Sequence, residues 1–98
     1  MADTPGMLVV TGASRGIGAA VALAAADVGY AVAVNYVRDE AAANRIVDQI
    51  HQRGGEACAI GANIGRESDI IHLFQRAEEE LGPIRALVNN AASGPSGE

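Results

Sequence analysis

The stretch LVVTGASRGIGAAVALA, from Leu8 to Ala24, sets three glycines (Gly12, Gly16 and Gly18) between a β-branched apolar run and an alanine-rich one. Side chains that move protons are scarce here; what the pattern offers is backbone. A glycine at the end of a strand turns the chain through dihedrals closed to other residues. The first turn of a helix bares amide N–H groups with no acceptor in their own helix, and the aligned peptide dipoles make that end partly positive. Strand, glycine turn and helix start in that order can cradle a pyrophosphate without any lysine. Gly16 would keep the ligand's approach clear, and Gly18 would let the helix lie close against the strand. The spacing here is G-x-x-x-G-x-G, whereas the common dinucleotide fingerprint is G-x-G-x-x-G, so a turn built for packing alone stays open on spacing.

The elements around the turn narrow the choice. Met7 to Thr11 reads as a strand. Gly16 to Val28 reads as a helix with Ile17, Val21, Ala24, Ala25 and Val28 on one side, ended by Gly29. YAVAVNY, Tyr30 to Tyr36, is apolar enough for a strand buried on both faces. Arg38 and Asp39 open a second helix whose apolar face is Ala43, Ile46, Val47 and Ile50, with Arg45, Asp48 and Gln52 toward water and Gly54-Gly55 as its stop. A short strand follows from about Glu56 to Ala62. A third helix spans about Arg66 to Leu81, with Ile70, Leu73, Phe74, Ala77 and Leu81 as its stripe, broken by Gly82-Pro83. IRALVN, Ile84 to Asn89, is the last strand.

Strands alternating with helices specify an α/β fold with a parallel sheet, because parallel neighbours need crossover connections. Right-handed crossovers put the first two helices on one face if the chain winds one way from the first strand. The third helix covers the other face if it carries the chain back past that strand. The expected architecture is a Rossmann-type parallel sheet of strand order 3-2-1-4, half of a doubly wound fold, with helices on both faces. Residues 1–92 would form the half-domain and 93–98 a loose tail.

Composition sets the outer limits. The chain has 98 residues, enough for a single core, and a formal charge of −5, which argues against a nucleic-acid partner. Apolar runs are too short for a membrane span, and no leader pattern opens the chain, so a cytoplasmic protein is expected. Cys58 is the single cysteine and reads as a buried, inert thiol. His51 and His72 lack partners at metal-ligand spacing and read as solvated helix residues; Glu78, Glu79 and Glu80 read as a solvated helix face. No metal site is expected. All seven basic residues are arginine.

With these elements in place, TGASRGIG closely resembles the cofactor loop of the short-chain dehydrogenase/reductase family, and LVNNAA, Leu87 to Ala92, resembles its second marker, NNAG. The likeness runs from Leu8 to Ala92 and is greatest to reductases of the 3-oxoacyl-carrier-protein and glucose dehydrogenase kind. It implies that Ser14, Arg15 and Ile17 line the phosphate and adenosine-ribose site together with Gly12, Gly16 and Gly18. Asn89 and Asn90 would brace the fourth strand, with Asn90 and Ala91 beside the cofactor's other ribose. Ala92 stands where the family usually has glycine. Asn63, followed by Ile64, falls where many members place an aspartate on the adenine amino group, and an amide oxygen can accept the same hydrogen bond.

Cofactor choice is expected at the end of the second strand. NAD-preferring members carry an acidic residue there to accept from the 2′-hydroxyl. Here that position is Tyr36, with Arg38 two residues on and Arg15 in the glycine loop. Guanidinium groups fork onto a phosphate, so NADP(H) is expected over NAD(H). Against this stand an Arg38 paired with Asp39 or Glu40, and an Arg15 that is only a solvated loop charge.

The family's chemistry uses a serine and a Y-x-x-x-K pair, which this sequence lacks. It has no lysine; Tyr30 is followed four residues on by Val34, and Tyr36 by Glu40. Ser93 and Ser96 come too early in the chain to be the family's serine. The 98 residues therefore read as the cofactor-binding half of an oxidoreductase, inactive alone, whose parent moves hydride between nicotinamide and a carbonyl or alcohol. Its implied partners are the dinucleotide, the missing C-terminal half and, for the full-length protein, further copies of itself. A stand-alone nucleotide-binding module without catalysis is the other reading, and a regulatory domain that binds no nucleotide a third.

Overall fold

The computed structural model describes residues 6–14 and 16–90. Elements alternate as β1 (Met7–Thr11), α1 (Gly16–Asp27), β2 (Ala31–Tyr36), α2 (Glu40–Gln52), β3 (Ala57–Gly61), α3 (Glu67–Leu81) and β4 (Ile84–Asn89). The strands form one parallel sheet in the order β3-β2-β1-β4, as the crossover argument requires. Most element ends fall within a residue or two of the sequence reading. The expected tail, 93–98, lies outside the described residues, as do Arg15 and Ala91.

Strand side chains alternate between two cores. Leu8, Val10, Val32 and Val34 pack with Ala43, Ile46, Val47 and Ile50 of α2 and with Ala22 and Ala25 of α1. Met7, Val9, Ala33 and Ile60 face the other way, onto Leu73 and Ala77 of α3. Fully burying a side chain of this size contributes about 1.5–3 kcal/mol, so both faces of β1 and β2 are strongly specified. Asp39 starts α2 by accepting the Ala42 N–H at 3.0 Å, a side-chain cap that fixes where the helix begins.

The expected apolar face of α1 is rotated. Gly18, Ala22 and Ala25 are its buried residues, whereas Ile17 is 74% exposed and Val28 68%. This helix is apolar nearly all round, so spacing cannot select a face. Close approach to the β1 turn decides it, by admitting only glycine and alanine on the side toward the sheet.

Beyond β1, β4 is covered unevenly. It pairs with β1 alone, with a register irregularity between Met7 and Leu8, and Leu87 on the α3 side is 50% exposed. This leaves β4 with one unpaired edge among the described residues.

Candidate functional site

Strand order reverses between β1 and β4, and the glycine turn opens at the carboxyl end of β1 beside that point, where open α/β sheets form their binding crevice. Gly12 has φ 61° and Gly16 φ 65°, both in the left-handed region. A Cβ built on Gly16 meets nothing within 4 Å, so its glycine is needed for the backbone and leaves open space at the mouth of the turn. Gly18 differs. A Cβ there would overlap the Gly12 carbonyl oxygen and come within 2.7 Å of Asn90 Nδ2 and 2.9 Å of Ala13 Cα. Gly18 thus presses α1 against the turn, a closer neighbour than the strand that the sequence suggested.

Two asparagines hold the turn from opposite sides. On the β4 side, the Asn90 backbone N–H donates to Thr11 Oγ1 at 3.0 Å, and Asn90 Nδ2 donates to the Gly12 oxygen at 3.2 Å. Asn90 therefore ties the end of β4 to β1 and the glycine turn. On the β2 side stands Asn35, which the sequence reading passed over as part of an apolar strand. It is fully buried. Its Oδ1 accepts the Gly12 N–H at 3.1 Å, its backbone oxygen accepts the Ala13 N–H at 2.8 Å, and Nδ2 donates to Ile60 and Ala62 oxygens at 3.2 and 3.1 Å. The signal was available: a lone amide inside AVAVNY must find partners, because an unsatisfied buried polar group costs about 1–3 kcal/mol.

Some amides of the turn are already engaged. Those of Gly12 and Ala13 are spent on Asn35. Helix geometry leaves the first-turn amides of α1, starting at Gly16 and Ile17, without acceptors in their own helix. They lie beside the open space at Gly16, and half-buried Ser14 precedes them. The arrangement suits an anion.

Tyr36 ends β2 opposite Gly61 of β3, and a Cβ on Gly61 would come within 3.0 Å of the Tyr36 ring and hydroxyl. Burial and the Glu40 carboxylate raise the Tyr36 pKa, so the phenol stays neutral. Arg38 is exposed and makes no ion pair among the described residues; Asp39 is engaged as the α2 cap, and Glu40 lies beside Tyr36. The expected alternative, an Arg38 paired with either acid, is not found. In the β3–α3 turn, Asn63 Oδ1 accepts the Gly65 N–H at 2.9 Å, and the Asn63 backbone N–H donates to Asp69 Oδ2 at 2.8 Å. One lone pair of that amide oxygen is committed and one is left. Ile64 is half-buried against the α3-side core. Thus Gly12, Ser14, Gly16, Ile17, Gly18, Tyr36, Arg38, Asn63, Ile64 and Asn90 belong to segments that meet at the carboxyl edge of the sheet, while Arg15 and Ala91 fall outside the described residues.

Elsewhere the chemistry is sparse. A hollow of about 460 Å³ lies at the opposite edge, lined by Gly6, Tyr30, Gly55 and the Asp27–Arg53 ion pair, remote from the glycine turn. Cys58 is half-buried, and burial with the nearby Glu80 carboxylate pushes its thiol up to about 11. No group of His, Cys, Asp or Glu suited to a metal occurs among the described residues, and no described helix is long and apolar enough to cross a membrane.

A 3-2-1-4 parallel sheet with a glycine turn at its crevice is the cofactor-binding arrangement of nicotinamide-dependent oxidoreductases. The short chain dehydrogenase family model matches residues 7–98, and the chain belongs to that family. It is 45% identical over 83 residues to the uncharacterized oxidoreductase YgfF of Escherichia coli, covering 85% of this chain and 34% of that protein. It is 43% identical over 88 residues to a 3-oxoacyl-[acyl-carrier-protein] reductase of Synechocystis, covering 90% of this chain and 36% of the relative. Among solved structures, a short chain dehydrogenase from Burkholderia cenocepacia in complex with NADP superimposes with a TM-score of 0.86 at 36% identity, over 91% of this chain and 36% of that one. The chain thus spans about a third of the length of these relatives.

Proposed function

We propose that this chain is the NADP(H)-binding part of a short-chain oxidoreductase that transfers hydride between nicotinamide and a carbonyl or alcohol. One observation carries the reading: a Cβ at Gly16 would meet open space at the start of α1, where helix geometry leaves amides without an acceptor in their own helix. The nicotinamide, when bound, supplies or accepts the hydride; the residues of this chain bind and orient the dinucleotide. Amides at the start of α1 would receive the pyrophosphate, with Ser14 and Arg15 beside it. Tyr36 leaves no strand-end carboxylate to accept from a 2′-hydroxyl, and the Arg38 guanidinium, which makes no ion pair among the described residues, would take a 2′-phosphate and offset the Glu40 carboxylate beside Tyr36. Asn63 and Ile64 would border the adenine, and Asn90 and Ala91 the second ribose. The NADP found in one relative is consistent with that preference.

The serine, tyrosine and lysine of the family's chemistry are not among these 98 residues. Turnover is accordingly proposed for a whole protein of the relatives' length, cytoplasmic and self-associated, with residues 1–92 as its cofactor half. The 98-residue chain would bind without reacting.

Calorimetry with two ligands tests the preference. The wild-type chain should bind 2′-phospho-ADP-ribose more tightly than ADP-ribose. Arg38→Ala should weaken the former roughly tenfold or more, as loss of a charge-assisted hydrogen bond does, and leave the latter nearly unchanged. Equal losses for both ligands would contradict the 2′-phosphate role.

A further inference from the structure

Asn35 spans two turns that are far apart in sequence. Its Oδ1 and backbone oxygen take the first two amides of the glycine turn, and its Nδ2 hydrogens reach Ile60 and Ala62, on either side of the Gly61 that opens the β3–α3 turn. Ala62 is tied to the same strand again, its N–H donating to the Tyr36 oxygen at 3.0 Å. A side-chain amide supplies one acceptor and two donors at this length. Aspartate keeps the acceptor but turns a second oxygen toward two carbonyl oxygens, and leucine supplies neither. Asparagine is a poor residue for a strand interior, so its place between Val34 and Tyr36 is set by these bonds.

We propose that Asn35 is a positioning residue that joins the glycine turn and the β3–α3 turn into one unit, so that occupancy of either is felt at the other. The proposal rests on the dinucleotide reading, in which the glycine turn takes the pyrophosphate and the residues after Gly61 border the adenine. Asn35 has no exposed surface and so touches no ligand; its effect passes through Gly12 on one side and Ala62 on the other.

Native-state amide exchange on the wild-type chain, with and without saturating NADP⁺, is the test. The Gly12, Ala13 and Ala62 amides should open as one unit, and NADP⁺ should slow all three by the same factor, within about twofold. A bond that only supports the fold opens with the whole chain, so these three amides would then slow by the same factor as sheet-core amides such as Val9 and Val10; the proposal requires a common factor that differs from the core's. As a second measurement, Asn35→Asp should bind NADP⁺ at least roughly tenfold more weakly than wild type at neutral pH, with folding checked by circular dichroism. Unequal slowing at Gly12 and Ala62 with NADP⁺ bound, or a folded Asn35→Asp chain of unchanged affinity, would overturn the proposal. If Asn35→Asp does not fold, the wild-type exchange decides alone. A wild-type chain that binds no NADP⁺ fails the dinucleotide reading itself, and the proposal with it.

Discussion

Gly16 and Gly18 lie two residues apart and answer to different physics. A methyl on Gly18 would press into the backbone of Gly12 and Ala13, which cannot swing aside as a flexible side chain can. Gly18→Ala should therefore destabilise the fold by about 1–3 kcal/mol or more. Gly16→Ala meets no neighbour and carries only the left-handed backbone cost, about 1–2 kcal/mol, but its methyl would stand where the proposed ligand enters. Urea unfolding should rank Gly18→Ala as the less stable variant, while Gly16→Ala, folded at low urea, should still lose NADP⁺ binding; the reverse ranking would contradict the packing argument. Cys58 gives a pH test. Its pKa is raised to about 11 from the ordinary 9.0 by burial and then by Glu80, so between those values the folded chain holds a proton that the unfolded chain has lost. Stability from this group is complete below pH 9 and falls as pH rises through 11. Iodoacetamide at pH 8 should alkylate Cys58 more slowly in the native chain than in urea, and equal rates would contradict the shielding.

At the level of elements, legibility followed amphipathicity. In α2, Ala43, Ile46, Val47 and Ile50 stand against Arg45, Asp48 and Gln52, and the buried face was read correctly from spacing. The α1 segment, GIGAAVALAAAD, has no polar face to read against, so its orientation came from the tertiary contact at Gly18. Asn35 escaped the reading for a related reason: a pattern that asks which strand residues are apolar passes over the polar one holding two turns together. Helix boundaries were set by short-range chemistry and were easier. Asp39 caps α2 through Ala42 N–H, and Asp39→Ala should cost about 1 kcal/mol, seen as a lower melting temperature. Asp39→Asn should retain most of that stability. A loss as large in Asn as in Ala would mean that the acid acts through its charge or another contact.

Across the whole molecule, topology was legible because crossover handedness and helix count leave few arrangements of four parallel strands. The two cores lie on opposite faces of β1 and β2, and they hold the carboxyl ends of β1, β2, β3 and β4 in one row. Arg38, Asn63 and Asn90 come from widely separated parts of the chain, and the sheet is what brings their segments to one edge. The hollow at the other edge, near Tyr30 and Gly55, offers a rival location for any ligand, and one experiment separates the two. Amide chemical shifts of the labelled 98-residue chain should be followed by NMR as NADP⁺ is added. The account predicts saturable shifts at Gly12 to Ala20, at Tyr36 to Arg38 and at Gly61 to Ile64, with Asp27, Tyr30 and Gly55 still. Shifts confined to the opposite edge, or none at the glycine turn at millimolar NADP⁺, would contradict it.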